Sequence, residues 1–320
     1  MKVLGYGMYG TVYQIVYRGK KCAMKIEHIL ESDIKKNIHS PVWREIDFAK
    51  KLGNKYPDFF LKLHNYEIIE SCSHKQKFSY NITLFSPEKR KKIIDTNKSP
   101  YCIKKVYSLV DYSLDKIIHK LSIKQLYSML IQVSYAVYLL HKYKYTHGDL
   151  HAGNIGVSRT KQKFIKIGEK KVPTFGFKYK IIDYGTILHR RYKLDGEEKK
   201  NYEYYLKNEY RVIRNLIFED KFYQYLQKKS INVFSINDDF KNSDENAKLK
   251  EIIDDFDDRK FLFKLMFPEK YQLIAMGLNN FKRVIKPKLL IPIKDIIYLV
   301  KLGNNFKKVL NYFCDKLSIG

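Results

Sequence analysis

Residues 145–157 read Y-T-H-G-D-L-H-A-G-N-I-G-V, an H-x-D pattern with an amide five residues beyond the carboxylate: His147, Asp149, Asn154. Further on, the apolar stretch Tyr179–Ile182 ends in Asp183-Tyr184-Gly185. Two carboxylates and one amide on turns after strands suit nucleotide-dependent phosphoryl transfer. Asp183 and Asn154 offer hard oxygen ligands for Mg2+, and the metal bridges phosphates. Asp149 can then accept or orient the proton of an attacking hydroxyl.

A second group opens the chain. Residues 3–12, V-L-G-Y-G-M-Y-G-T-V, place Gly5, Gly7, Gly10 and Val12 in a G-x-G-x-x-G-x-V pattern. Glycines at this spacing let backbone N–H groups approach phosphate oxygens that bulkier residues would block. The triplet alone is weak, because dinucleotide-binding turns and ordinary hairpins use similar glycines. A dinucleotide turn runs from strand to helix, whereas this segment runs from strand to strand. Residues 12–17 alternate, Arg18–Lys21 reads as a turn, and a third strand covers Cys22–Ile26. Lys25 in A-M-K-I is the natural cation for nucleotide phosphates.

These groups need elements to hold them. Pro41–Gly53 reads as a helix with Pro near its start and Gly at its stop. It carries Glu45, 20 residues after Lys25, as the candidate partner of that lysine; Glu31 is a weaker competitor, and a solvated helix face is the plain alternative. Residues 72–105 read as a basic extended loop or hairpin insertion, densest at Lys89–Lys92, that could dock an acidic partner or simply be solvated. A strand follows over Tyr101–Val110. A long helix over Ile123–Lys142 carries Leu126, Leu130, Val133, Val137 and Leu140 on one face, a core stripe. Ser158–Lys178 reads as an inserted hairpin, and Glu203–Phe218 as a helix with Glu209 in an anchoring position. Asn237–Asp258 is polar and acidic, a loop then a helix, and residues 261–316 resume amphipathic helical patterns.

Composition bounds the rest. Of 320 residues 45% are hydrophobic and 30% charged, which excludes a globally disordered or collagen-like chain. The net charge of +27 could attract nucleic acid, anionic membrane or acidic proteins. Its lysines are spread along the chain, however, as AT-rich codon usage would also produce. No apolar run reaches the roughly 18–20 residues of a membrane span, and the N-terminal segment lacks a secretory apolar core. Cys22, Cys72, Cys102 and Cys314 lie far apart with no C-x-x-C pair and no histidines at zinc-ligand spacing. They are expected to be plain core or surface residues of a reducing compartment.

The ordered set of glycine loop, Lys25, Glu45, Asp149, Asn154 and Asp183 resembles the protein-kinase superfamily, over roughly residues 3–220. The resemblance implies an α+β bilobal fold, a small antiparallel-sheet N-lobe (1–110) and a mainly helical C-lobe (111–320) forming one kinase domain, with ATP and Mg2+ between the lobes. Gly5, Gly7 and Gly10 then match the nucleotide-covering loop, with Leu4, Val12, Ala23 and Leu109 lining the nucleotide and a hinge near Leu109–Tyr112. Lys25 and Glu45 match the lysine–glutamate pair, Asp149 the catalytic aspartate, and Asn154 and Asp183 the metal ligands.

The departures are informative. Gly148 stands in place of the arginine of H-R-D, which in the family often holds a phosphorylated loop, so activity is expected not to need that phosphorylation. H-G-D and D-Y-G together look like vaccinia-related and casein-kinase-one-like kinases. His151 in D-L-H-A-G-N looks like haspin-type kinases and also like aminoglycoside and choline phosphotransferases; it either contacts the transferred phosphate or simply hydrogen-bonds within its loop. No A-P-E follows D-Y-G. The leading expectation is an ATP-dependent serine/threonine kinase acting on protein substrates, a monomer without a membrane span, cytoplasmic, and in style similar to kinases of large DNA viruses (host cytoplasm or virion). A small-molecule phosphotransferase and a nucleotide-binding pseudokinase scaffold are the alternatives.

Overall fold

The computed structural model describes residues 1–7, 10–74, 87–209 and 306–317. Five strands form one antiparallel sheet: β1 (Lys2–Tyr6), β2 (Gly10–Tyr17), β3 (Lys20–His28), β4 (Leu63–Ile69) and β5 (Cys102–Ser108). Their order is β1-β2-β3-β5-β4. One face packs on α1 (Pro41–Phe48), which starts with proline at its first turn and continues into a wider π turn over Ala49–Gly53. Trp43, Ile46 and Phe48 of α1 are buried.

The basic insertion departs from expectation. Its run Lys89–Lys92 lies on a helix, α2 (Pro87–Asn97), not in a loop. Lysine and arginine are good helix formers, and Ile93, buried at 2% exposure, ties the helix down. Residues 75–86, the rest of the insertion, lie outside the described part.

Below the sheet, β6 (Tyr112–Ser113) and two short 3-10 turns lead into α3 (Ile123–Lys142). Ser122 caps α3 by accepting from the Gln125 N–H (3.3 Å), while the Gln125 side chain accepts from the Ser122 N–H (2.9 Å). The expected stripe Leu126, Leu130, Val133, Val137 and Leu140 is buried throughout. Burial of five such side chains, at about 1.5–3 kcal/mol each, anchors the lower core. Around α3 lie β7 (Tyr145–Thr146), β8 (Ile155–Arg159), β9 (Phe164–Ile167), β10 (Lys170–Pro173), β11 (Phe177–Ile181) and β12 (Leu188–His189). Strands β9 and β10 form the hairpin expected between Ser158 and Lys178, with Ile165, Ile167 and Val172 buried.

Helix α4 (Gly196–Asn208) begins earlier than the expected Glu203. Asp195 caps it, and Glu198 completes a capping box. Helix α5 (Phe306–Lys316) packs on α3, with Cys314 buried between them. The readings over Asn237–Asp258, and over 261–316 up to residue 305, lie outside the described residues. No described helix is long and apolar enough to cross a membrane.

Candidate active site

Strand register brings the chemistry together. β8 pairs antiparallel with β11, Ile155 opposite Ile181. Asn154 immediately precedes one strand and Asp183 follows the other by two residues, so both sit at the same end of the pair. The Ile182 N–H donates to Asn154 O at 2.9 Å and holds the ends together. Asn154 Nδ2 donates to Asp149 O (2.8 Å) and, at 3.4 Å, to Asp149 Oδ2. That bond fixes the amide, leaving Oδ1 as the acceptor end available to a cation. Asp149 and Asp183 keep 60% and 54% of their side chains exposed, as groups that must meet a substrate or metal require.

The loop around Asp149 is held from beneath. His147 is fully buried, and its Nε2–H donates to Ile182 O at 2.9 Å while Nδ1 accepts from the Asp149 N–H at 3.4 Å. One neutral tautomer satisfies both contacts. Glu209, 3% exposed, accepts from the backbone N–H groups of His147 (2.6 Å) and Gly148 (3.1 Å), and its other oxygen meets His141 Nε2 at 2.9 Å. This is the anchor read from the sequence.

Gly148 has a structural reason. Its φ is +80°, and a Cβ there would lie 2.7 Å from Thr186 O. Any side chain, arginine included, would push the loop off the segment that follows D-Y-G. Thr186 Oγ1 in turn donates to His147 O at 2.8 Å.

From the upper sheet comes Lys25. Its Nζ lies 3.3 Å from Glu45 Oε2, 3.3 Å from Glu27 Oε2 and 3.4 Å from Asp183 Oδ1. Burial opposes its charge, but Asp183, Glu27 and Glu45 outweigh it and hold the ammonium well above its ordinary pKa. Lys25 is the chief reason that the Asp183 carboxyl falls to about 2, ahead of the opposing effect of burial. Glu31, the competitor, sits in an exposed 3-10 turn, so Glu45 is the partner.

A second lysine was missed by sequence reasoning. Lys105 of β5 stands directly opposite Lys25 in register and is fully buried. It bridges Glu27 and Glu45, the latter at 2.5 Å. Tyr107 donates to Glu45 Oε1 at 2.9 Å. Burial alone would raise the Glu45 carboxyl, yet Lys105 and then Lys25 hold it below its usual value. Glu45 is therefore fixed independently of Lys25, whose contacts are the longer ones and which can turn toward a phosphate. A sequence signal existed: a lysine inside an otherwise apolar strand, C-I-K-K-V-Y.

The nucleotide-loop residues lie above. Val12 faces Lys25 across β2–β3, and Ala23 faces Tyr107 across β3–β5. The Gly7 N–H donates to Gly10 O at 2.7 Å, closing the turn, and a Cβ on Gly10 would meet Ile26 O at 2.6 Å. Gly5 and Leu4 lie on β1, with Leu4 39% exposed, and Leu109 follows β5 half-buried.

Tyr184 of D-Y-G is 1% exposed and packs on Phe48 of α1, ring centroids 4.6 Å apart. Its hydroxyl donates to Ile181 O (2.9 Å) and accepts from the Leu61 N–H (2.6 Å), stitching the two lobes. Helix α1 is also tied to the segment after D-Y-G. Arg44, 4% exposed, makes a fork with Glu198 (2.5 and 3.1 Å), donates to Lys193 O (3.2 Å) and lies over the Tyr192 ring. Asp47 receives Arg191 and the Tyr192 hydroxyl (3.0 Å). None of these links was read from the sequence.

The cysteines correct an expectation. Cys72 and Cys102 are joined as a disulfide, and His28 lies beside them. Cys22 and Cys314 are free and buried.

With this geometry in view, the chain was compared with known proteins. The family model for protein tyrosine and serine/threonine kinases matches residues 1–185. Comparison with curated proteins returns no match. The chain belongs to the protein kinase family, and its function is phosphoryl transfer of the protein-kinase type.

Proposed function

We propose that this protein is an ATP- and Mg2+-dependent serine/threonine protein kinase with Asp149 as its catalytic carboxylate. The observation that carries the reading is the convergence of Lys25, Asp149, Asn154 and Asp183 from three separate segments, with both carboxylates exposed. Asp183 and the free Oδ1 of Asn154 form an all-oxygen donor set of the kind Mg2+ prefers. The metal there would neutralise charge on the phosphates. Lys25 binds phosphate oxygens, and the glycine loop covers them and excludes water. Asp149, held by Asn154 and the loop below it, orients the acceptor hydroxyl and takes its proton as the bond to the γ-phosphorus forms and the bond to the ADP oxygen breaks.

Acceptance of protein hydroxyls is supported by the complete glycine loop. The wording H-G-D-L-H-A-G-N and the short stretch between Gly185 and α4 keep a small-molecule acceptor as the second reading. The deciding experiment is transfer of labelled γ-phosphate from ATP with Mg2+ to acidic and basic proteins and, separately, to aminoglycosides and choline. Label on serine or threonine that falls by about 10²–10⁴ in Asp149→Asn, with ATP binding retained, is expected. Label confined to small molecules establishes the second reading; ATP binding without transfer to any acceptor points to a scaffold.

A further inference from the structure

The insertion between β4 and β5 is closed at its base by a covalent bond. Cys72 follows β4, Cys102 opens β5, and their sulfurs are joined. The two differ in access. Cys102 is fully buried, whereas Cys72 is half-buried between the exposed Ser71 and Ser73. A thiolate arriving from solvent therefore meets Cys72 Sγ, and Cys102 Sγ becomes the leaving atom.

The neighbouring histidine suits that direction of attack. His28 closes β3, is 5% exposed and pairs in register with Cys102. Its Nε2 faces His74 O at 2.7 Å, and its Nδ1 faces Ser99 O at 2.9 Å. These carbonyls lie on the two arms of the insertion, one just after Cys72 and the other just before Cys102. A carbonyl oxygen only accepts, so both contacts are hydrogen bonds where both ring nitrogens carry hydrogen. The Nδ1 donor is also 3.5 Å from Cys102 Sγ. An N–H of a cationic ring at that place stabilises the sulfur as a thiolate, and a more stable leaving thiolate departs faster.

We propose that Cys72 is a site of thiol–disulfide exchange with dithiols, and that its bond to Cys102 is a reducible clamp on the strands that carry Lys25 and Lys105. One thiolate of the dithiol attacks Cys72 Sγ, the Cys72–Cys102 bond breaks, and Cys102 departs as a thiolate beside His28. The second sulfur of the reductant then attacks the mixed disulfide, closes the reductant's own disulfide and frees Cys72. Two electrons pass to the protein, and the two thiol protons of the dithiol end on the two cysteines. Opening the bond releases the Cys72 arm from β5. His28–Cys102 and Glu27–Ile103 are the last pairs of the β3–β5 ladder, and Glu27 bridges Lys25 and Lys105. The ladder then frays beside the lysine–carboxylate cluster, and nucleotide is held less firmly, a consequence that rests on the ATP reading above.

The test uses the full chain, oxidised and then exposed to a dithiol at neutral pH without denaturant. Mass spectrometry should show a gain of two hydrogen atoms per chain, and a monothiol used instead should be trapped on Cys72 and not on Cys102. His28→Gln should slow the reduction by about tenfold. Reduction should lower Tm by about 5 °C, the scale of opening a loop whose ends are 30 residues apart. It should also raise the Kd for ATP about threefold. Cys72→Ser should match the reduced parent in both respects and ignore the dithiol, whereas Cys22→Ser, a buried cysteine outside the pair, should respond as the parent does. Absence of ATP binding in both redox states would count against the ATP reading, and the thiol and Tm readouts then decide the clamp. A disulfide that yields to dithiol only in denaturant, a monothiol trapped on Cys102, an unchanged reduction rate in His28→Gln, or a reduced chain with the Tm of the oxidised one overturns the proposal.

Discussion

Tyr184→Phe removes one oxygen atom and keeps the ring, yet the structure predicts a large effect. The hydroxyl is the acceptor for the Leu61 N–H and a donor to Ile181 O, both at a site where Tyr184 is 1% exposed. Phenylalanine leaves a buried N–H without its acceptor, which costs about 1–3 kcal/mol, and deprives a carbonyl of one of its donors at about 1 kcal/mol more. The sum is about 2–4 kcal/mol, or a fall of about 3–6 °C in Tm for a chain of this size. Differential scanning fluorimetry and urea denaturation at neutral pH would measure it, with the urea midpoint falling at unchanged slope. Burial holds the Tyr184 phenol well above its ordinary pKa, so the proton needed for the Ile181 bond is present throughout. A variant melting within about 1 °C of the parent would refute the claim that this hydroxyl joins the lobes.

The other expectations follow from the charge arrangement. Lys105→Met leaves Glu27 and Glu45 to share Lys25 with Asp183, and should cost about 3–5 kcal/mol in denaturant titration; the double variant Lys105→Met/Glu27→Gln, which deletes the pair together, should recover most of it. Exchanging Arg44 and Glu198 (Arg44→Glu with Glu198→Arg) should restore part of the ATP affinity and Tm that either single change loses, with a coupling of about 1–3 kcal/mol in a double-mutant cycle. The Asp183 carboxyl is depressed to about 2, so the stability it contributes is present above about pH 4 and is lost as pH falls toward 2. Asp183→Asn should flatten the acid-denaturation curve in that window, and should separately weaken Mg2+-dependent nucleotide binding at pH 7 in calorimetric titration.

What was legible in the sequence was whatever a short stretch of chain determines. Lys25 and Glu45 could be paired because a strand and the next helix bring such residues to one place, and α3 was bounded correctly because its stripe and its Ser122 cap are local. Lys105 escaped because a lysine in a strand is ordinarily solvated; only the register that sets it opposite Lys25 buries it. The fork from Arg44 to Glu198 joins residues 154 apart, and no periodicity encodes that separation. The Cys72–Cys102 disulfide escaped for the same reason, since it joins residues 30 apart in the chain. Helix α2 was read as a loop because it carries little apolar pattern beyond Ile93, and lysine-rich stretches read as solvated whether helical or not. Gly148 was visible as a departure, but its cause, the carbonyl of Thr186 pressed against it, lies in the tertiary structure.

The bond between Tyr107 and Glu45 bears on inhibitor selectivity. Tyr107 is 5% exposed, two residues before Leu109, the residue proposed to line the adenine, and its hydroxyl reaches Glu45 of α1. Burial and the neighbouring Glu45 carboxylate keep its phenol protonated. A compound that extends from the adenine edge into the space behind the lysine must break a buried hydrogen bond and displace an aromatic ring. Scaffolds that rely on a small residue there should bind poorly, whereas Tyr107→Ala would open a chamber for enlarged ligands. That difference would let one engineered protein be inhibited in a mixture while its parent continued to work.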